Sequence, residues 1–241
     1  MWVFVFLSMG EKMVIRPYDI IETKEAVLAD NDAVAEKTRQ FLSSNHTFLI
    51  NLMSSPGSGK TTTLLRTIDA LKDRYRIGVM EADVDSDVDA SAVAAKGVKV
   101  IQLHTGGSCH MDASMTKEGL DGLGLEDLDL VFLENVGNLV CPAEFDVGAN
   151  LRVMILSVPE GDDKPLKYPL MFSVSDLMLI NKIDVAPVFV FDYEACAERA
   201  RKLNPNIDII KMSSLTGEGF DEWIAWLTDK VDSWRDSNAD H

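Results

Sequence analysis

The sequence predicts an α/β domain: a doubly wound, mostly parallel sheet flanked by helices. Three observations carry that expectation. Seven short apolar runs occur, most of them nearly continuous in Val, Ile and Leu, as strands buried on both faces of a parallel sheet are. Longer mixed stretches with helical spacing alternate with them, as right-handed crossovers require. The first clear run leads directly into a glycine-rich turn ending Gly59-Lys60-Thr61, which opens a helical pattern.

Taken in order, the chain starts with Met1 to Leu7 (MWVFVFL), all apolar. Basic residues, a longer apolar stretch and a small-residue cleavage site would mark a secretion signal, and this segment has none of them. It reads either as a start-site extension, with Met9 and Met13 as alternative starts, or as a short tail packed on the body. From Thr23 to Ser44, Ala26, Val27, Ala33, Val34, Phe41 and Leu42 recur at near-helical spacing among charged residues, which predicts an amphipathic helix. Strands are expected at Phe48–Met53, Ile77–Glu81, Val98–Leu103, Leu130–Glu134, Arg152–Val158, Leu177–Asn181 and Ile207–Met212. Helices are expected at Thr61–Tyr75, Asp87–Lys96, Tyr193–Leu203 and Gly219–Trp234. No internal repeat or flexible linker interrupts the series. The expected organisation is a tail over 1–22, one domain over 23–235 and a short tail over 236–241.

Composition narrows the function. The 241 residues are 46% hydrophobic and 26% charged, which suits a folded domain with a large core. No apolar run approaches the ~20 residues needed to span a bilayer. The 23 basic residues against 39 acidic ones give a formal net charge of −16. Such a surface repels phosphate backbones and anionic headgroups, so neither nucleic acid nor membrane is an expected partner. Three cysteines exclude a disulfide scaffold and fit a reducing compartment, so a cytoplasmic location is expected.

The turn Ser54-Ser55-Pro56-Gly57-Ser58-Gly59-Lys60-Thr61 fits the phosphate-loop pattern G-x-x-x-x-G-K-[ST] except at its first position, where Ser54 stands for glycine. Gly57 and Gly59 allow a tight fold in which backbone N–H groups, those of Ser55, Ser58 and Thr62 among them, converge on phosphate oxygens. The helix N-terminus adds its positive dipole end. Lys60 can reach the β- and γ-phosphates, and the Thr61 hydroxyl can ligate Mg²⁺. The fold expected is therefore a P-loop NTPase domain.

A second motif reads the base. Asn181-Lys182-Ile183-Asp184 ends an apolar strand about 120 residues after the phosphate loop. The Asp184 carboxylate can accept from the N1–H and 2-amino groups of guanine together, a donor pair adenine does not offer. Lys182 can lie over the base, and Asn181 can brace the phosphate loop. Ser213-Ser214-Leu215-Thr216-Gly217 follows the next strand, and its backbone N–H groups, with Ser213 and Leu215 as marker positions, can close over guanine O6.

Acidic residues follow two strands. In Glu81-Ala82-Asp83-Val84-Asp85-Ser86-Asp87, Asp83 is favoured for Mg²⁺ or the attacking water, and Asp85 and Asp87 read as a solvated loop. Glu134 ends the run Leu130–Leu133 at the Walker B position. Cys109 and His110 are adjacent, and Cys141 follows Glu134 by seven residues. These three are either a metal site or buried thiols. As a metal site they leave a tetrahedral ion one ligand short in a single chain, and a two-fold pair of chains would make up the set. Thiolate and imidazole suit Zn²⁺ or Ni²⁺. Cys196 reads as core, and His104 as a strand end.

Together, S-S-P-G-S-G-K-T-T, T-G-x-x-C-H-x-D-A, E-N-V-G-N-L-V-C-P-A-E-F-D, E-G-x-D-K-P-L-K-Y-P and N-K-I-D resemble the hydrogenase nickel-incorporation GTPases (HypB) from about Val27 to about Leu227. The block at residues 134–142 is the most specific of these. The family's phosphate loop also begins with Ser. The resemblance implies slow, Mg²⁺-dependent hydrolysis of GTP to GDP and a homodimer promoted by GTP. Lys60, Asp83 and Glu134 would serve catalysis. A Ni²⁺ or Zn²⁺ site would form on Cys109, His110 and Cys141. Nickel would be delivered to the large subunit of a [NiFe] hydrogenase with a small HypA-like nickel- and zinc-binding partner.

Two departures stand out. Some members carry an N-terminal C-x-x-C-G-C motif or a His-rich stretch, whereas this sequence has no cysteine before Cys109 and only His46 before the phosphate loop. The domain site is therefore expected to carry nickel itself. The family's T-G-K-G-C-H also reads T-G-G-S-C-H here. In the block Glu160–Pro169, Lys164 or Lys167 contacts nucleotide, across the dimer, or both lie on an exposed turn. The urease accessory GTPases fit less well, because their C-P-H triplet is missing. A guanine-nucleotide switch with a structural zinc is the alternative of a different class. A kinase would leave N-K-I-D unexplained.

Overall fold

A computed structural model describes residues 23–83 and 88–238. The side chains of residues 23–26, 83, 88 and 89 are not described. The readings made for residues 1–22, for Asp85 and Asp87, and for the Asp83 side chain lie outside the described residues.

Seven strands form one sheet: β1 (Phe48–Ser54), β2 (Ile77–Asp83), β3 (Lys99–His104), β4 (Leu130–Glu134), β5 (Leu151–Ser157), β6 (Leu177–Asn181) and β7 (Asp208–Lys211). Their order is β3-β2-β4-β1-β5-β6-β7, and all six pairings are parallel. Each expected strand is present, with ends shifted by at most two residues. The helices are α1 (Thr23–Ser44), α2 (Lys60–Leu71), α3 (Val88–Ala94), α4 (Ala113–Leu123), α5 (Cys141–Glu144), α6 (Lys164–Lys167), α7 (Pro169–Val174), α8 (Tyr193–Leu203) and α9 (Phe220–Asn238). The final helix runs to Asn238, into the stretch expected to be a tail.

Strand β1 is buried along its whole length. Alternate residues serve opposite faces. Phe48, Ile50 and Leu52 pack with Leu64, Ile68, Phe132, Trp223 and Leu227 under α2 and α9. Leu49 faces the other side, with Met80, Leu120, Val131 and Leu133. Met53 joins a third cluster with Met154, Phe172 and Ile180. Placing the apolar strand in the middle leaves its carboxyl end, and those of β2, β4 and β6, along one edge of the sheet, where ligands of α/β domains bind.

Helix α4 was not anticipated. It starts at Asp112, whose side chain accepts from the Met115 N–H at 2.8 Å. Gly119 lets it lie close to the sheet: a Cβ there would come within 2.7 Å of Leu103 and 2.8 Å of the Met80 sulfur. Among the described residues no helix is long and apolar enough to cross a membrane.

Candidate functional site: a phosphate cleft joined to a thiol–imidazole cluster

The phosphate loop joins β1 to α2. Ser54 ends the strand fully buried, and its hydroxyl donates to the Ser55 carbonyl at 2.8 Å. A small polar residue thus occupies the pattern's first glycine position. Gly59 caps α2 with φ +98°, and a Cβ there would stand 2.5 Å from Asn181 Nδ2. Both the left-handed backbone and the close approach require glycine. Ser55 donates to the Glu160 carboxylate, which also accepts from the Ser157 hydroxyl at 2.7 Å. Ser58 is buried, and its hydroxyl has no partner among the described residues.

A cleft of about 570 Å³ opens over this loop, lined by Gly57, Lys60, Thr61, Thr62, Glu134 and Lys182 among others. Glu134 ends β4 and is 5% exposed. One of its oxygens accepts from the Thr61 hydroxyl at 2.8 Å and lies 3.9 Å from Lys60 Nζ. Neighbouring ligands of an octahedral Mg²⁺ stand about 3 Å apart, so the Thr61 and Glu134 oxygens fit two of its positions, directly or through water.

Three further residues line the cleft. Glu81, 3% exposed, stands beside Glu134 across the β2–β4 pairing and beside Gln102 across β2–β3. Gln102 offers a buried amide nitrogen with no acceptor among the described residues. The sequence did bear a signal for Glu81: a carboxylate within a buried strand is costly unless it is used. Asn135 is 1% exposed and also lines the cleft.

The N-K-I-D segment leaves β6 at the same edge. Asn181 donates from Nδ2 to the Ser58 carbonyl at 2.9 Å and accepts from the Ser214 N–H at 2.9 Å. Lys182 adopts φ +61°, and its ammonium donates to the Gly57 carbonyl at 2.6 Å, so its stem crosses toward the phosphate loop. Asp184 sits in the turn Ile183–Val188, with a buried Oδ1 that has no partner among the described residues. A buried carboxylate oxygen left unpaired is costly, and a ligand's N–H groups would satisfy it. Ser213 is buried and accepts from the Thr216 N–H at 3.0 Å, closing the loop beyond β7. The Leu215 side chain is exposed.

Cys109, His110 and Cys141 come together as the sequence suggested, with their ligand atoms all within 4.8 Å of one another. The two sulfurs are 3.0 Å apart, and Cys109 Sγ lies 3.9 Å from His110 Nδ1. Ligand atoms around a tetrahedral ion stand about 3.3–3.8 Å apart, so little adjustment is needed. The His110 ring stacks on Phe145, centroids 4.0 Å apart. Burial holds its pKa below the ordinary histidine range, against the pull of Asp112 and Glu144, which favours the neutral ring a metal needs. The hydrogen bond with Cys109, together with burial, pushes the Cys141 thiol up.

The two sites are physically joined. Asn135 follows Glu134, donates to Asn51 Oδ1 of β1 at 3.1 Å, and accepts from the Met111 N–H beside His110. Asn138 donates to the Cys109 carbonyl at 3.2 Å. Gly137 lies against the phosphate loop, where a Cβ would come within 3.1 Å of Pro56. Residues 134–141 therefore touch the phosphate loop on one side and the thiols on the other.

Residues 48–211 match the family described as CobW/HypB/UreG, nucleotide-binding domain. The hydrogenase maturation factor HypB of Azotobacter vinelandii is 48% identical over 210 residues, covering 86% of this chain and 69% of that protein. The chain belongs to the HypB family. The structure of HypB from Helicobacter pylori in complex with nickel is 39% identical, with a TM-score of 0.80 over 85% of this chain and 96% of that one. HypB from Archaeoglobus fulgidus is 42% identical, with a TM-score of 0.79 over 85% of this chain and 100% of that one. The all-parallel sheet and its helical layers are thus the HypB fold.

Lys167 pairs with Asp163 at 2.6 Å, and the Lys164 ammonium lies over the Tyr168 ring, 5.2 Å from its centroid. It is Glu160, at the head of that motif, that touches the phosphate loop. Cys196 is fully buried in α8, and its thiol is pushed up to about 12 by burial and the nearby Asp162 carboxylate. His104 ends β3.

Proposed function

We propose that this HypB-family chain is a GTP-hydrolysing metallochaperone. It binds nickel, or zinc, on Cys109, His110 and Cys141 and helps insert nickel into the large subunit of a [NiFe] hydrogenase. The observation that carries the reading is the continuous connection from Glu134 through Asn135 and Asn138 to the Cys109–His110 loop. In such an arrangement, what binds at the phosphate end bears on the geometry of the metal ligands. The relatives' role as hydrogenase maturation factors and the nickel complex of the Helicobacter pylori protein support nickel as the cargo.

Guanine is read by Asp184, whose unpartnered buried oxygen suits the N1–H and 2-amino donors. Ser55, Gly57, Ser58, Gly59, Lys60, Thr61 and Thr62 cradle the phosphates. Mg²⁺ held by Thr61 and Asp83 would neutralise charge developing on the phosphate oxygens. Lys60 holds the β- and γ-phosphates. Glu134, buried and fixed by Lys60 and Thr61, orients the water or its metal contact.

Three ligands per chain leave one position to be filled, and a second copy of the chain fills it in a dimer promoted by GTP. A HypA-like nickel- and zinc-binding protein is the expected accessory partner, and the cytoplasm the expected place. By thermodynamic reciprocity, nucleotide that changes metal affinity must itself be bound differently when metal is present.

The test is nickel and zinc titration with sedimentation, on wild type and Cys109→Ala, each with GDP and with a non-hydrolysable GTP analogue. Metal affinity that shifts with nucleotide, tracks dimer formation and vanishes in the variant supports the proposal. Metal binding indifferent to nucleotide would leave a GTPase with a structural ion.

A further inference from the structure

Arg66 stands outside every motif read from the sequence, yet it reaches the loop beyond β7. It projects from α2, six residues after Lys60. Its Nη1 donates to the Ser214 carbonyl at 3.3 Å and to the Leu215 carbonyl at 3.2 Å. The guanidinium is held from below by the Phe220 ring, 5.2 Å from its centroid. Gly217 makes room for it: a Cβ there would fall 2.2 Å from Nη2.

Each peptide unit is planar and trans, so its C=O and N–H point in opposite directions. Turning the Ser214 carbonyl toward Arg66 therefore turns the Leu215 N–H away from it. Turning the Leu215 carbonyl the same way sends the Thr216 N–H to the Ser213 hydroxyl. The Ser214 N–H is taken by Asn181 and the Gly217 N–H by the Ser213 carbonyl. Across Ser214–Gly217, Leu215 alone keeps an N–H with no acceptor among the described residues. The Leu215 side chain is exposed, so the carbonyl contacts from Arg66 are what fix the peptide unit carrying its N–H.

We infer that Arg66 is a positioning residue for base recognition: by pinning the carbonyls of Ser214 and Leu215 it aims the Leu215 N–H at the 6-oxo group of a purine. The inference rests on the guanine reading above and adds to it a division of labour. Asp184 answers the N1–H and 2-amino edge, and the Arg66-oriented loop answers O6. A second consequence concerns α2, which carries the phosphate contacts at its start and holds the base loop from its middle.

The test compares four diphosphates on wild type, Arg66→Ala and Arg66→Lys: GDP, IDP (no 2-amino group), 2-aminopurine riboside diphosphate (no 6-oxo group and no N1–H) and ADP. Arg66→Ala should weaken GDP and IDP by about tenfold, the worth of one well-placed hydrogen bond. It should leave 2-aminopurine riboside diphosphate within about threefold. Arg66→Lys keeps a cation but not the fork, so it should show a smaller loss of the same O6-selective pattern. Equal weakening of all ligands, or no change in any, would overturn the inference and leave Arg66 as ordinary packing. If wild type binds ADP as tightly as GDP, the guanine reading fails first and the inference falls with it. A ratio of GDP to 2-aminopurine riboside diphosphate affinity that Arg66→Ala leaves unchanged, with GDP still preferred over ADP, overturns the inference alone.

Discussion

Met111 and Asn135 are joined by a buried hydrogen bond of 3.2 Å, from the backbone N–H of one to the side-chain oxygen of the other. Met111 follows the imidazole of the thiol cluster, and Asn135 follows the carboxylate of the phosphate cleft. Asn135 also accepts from its neighbour Val136 at 2.9 Å and donates to Asn51, so its amide is committed on both ends. A buried amide held at both ends ties the two loops to the central strand.

Replacing Asn135 by Ala should therefore weaken nickel binding by about 10–100-fold, as loss of a group supporting metal ligands does. GDP affinity should stay within a few-fold. The informative quantity is the ratio of nickel affinities with GDP and with a GTP analogue, measured by competition against a chromogenic chelator. It should move toward one. A ratio equal to that of wild type would show that coupling travels by another route.

Glu134→Gln keeps the shape of the carboxylate and removes its charge. Turnover should fall on the order of 100-fold, the usual worth of a positioned carboxylate in proton or water handling. Binding of GDP in the absence of Mg²⁺ should persist, because Lys60 then loses only a neighbour 3.9 Å away. Single-turnover phosphate release separates the two effects.

Asp184→Asn replaces an acceptor pair by one acceptor and one donor. GDP affinity should drop at least about 100-fold, since two charge-assisted bonds are lost. Xanthosine diphosphate should gain, because its 2-oxo group can accept from the new amide. Direct titration with both nucleotides checks the exchange of preference.

Acid stability has a separate handle at Asp129. The Arg76 side chain hydrogen bonds to it, with oxygen–nitrogen distances of 2.9 and 3.0 Å, and this outweighs burial, so its carboxyl sits below the ordinary range. A carboxyl lowered in the folded state stabilises above its unfolded pKa of about 3.9 and loses that contribution as pH falls through the lower folded value. Asp129→Asn should therefore be less stable than wild type by a constant amount from pH 7 down to about pH 4. The difference should close below that. Urea unfolding over a pH series reads it directly.

The strands were legible because buried parallel strands have no polar face to confuse the pattern, and Val, Ile and Leu dominate them. The phosphate loop and N-K-I-D were legible because their chemistry needs fixed residues at fixed spacing. Helix α4 escaped notice because its first turn follows the thiol loop directly, and its glycines at 119 and 122 dilute the helical signal. The Asp112 cap was the available clue. Arg66 and Gln102 left no local mark at all: their partners are 148 and more residues away or on a neighbouring strand, and only folding brings them together. The convergence of Cys109, His110 and Cys141 likewise depends on how β3 and β4 lie in the sheet, with β2 between them.

Asn181 grips the Ser58 carbonyl with one end of its amide and the Ser214 N–H with the other. A single side chain thus ties the phosphate loop to the loop beyond β7, so substituting Asn181 disturbs both. On the guanine reading, a change at Asp184 would alter the letter being read and leave the phosphate grip in place. A change at Asn181 would loosen reading and holding together.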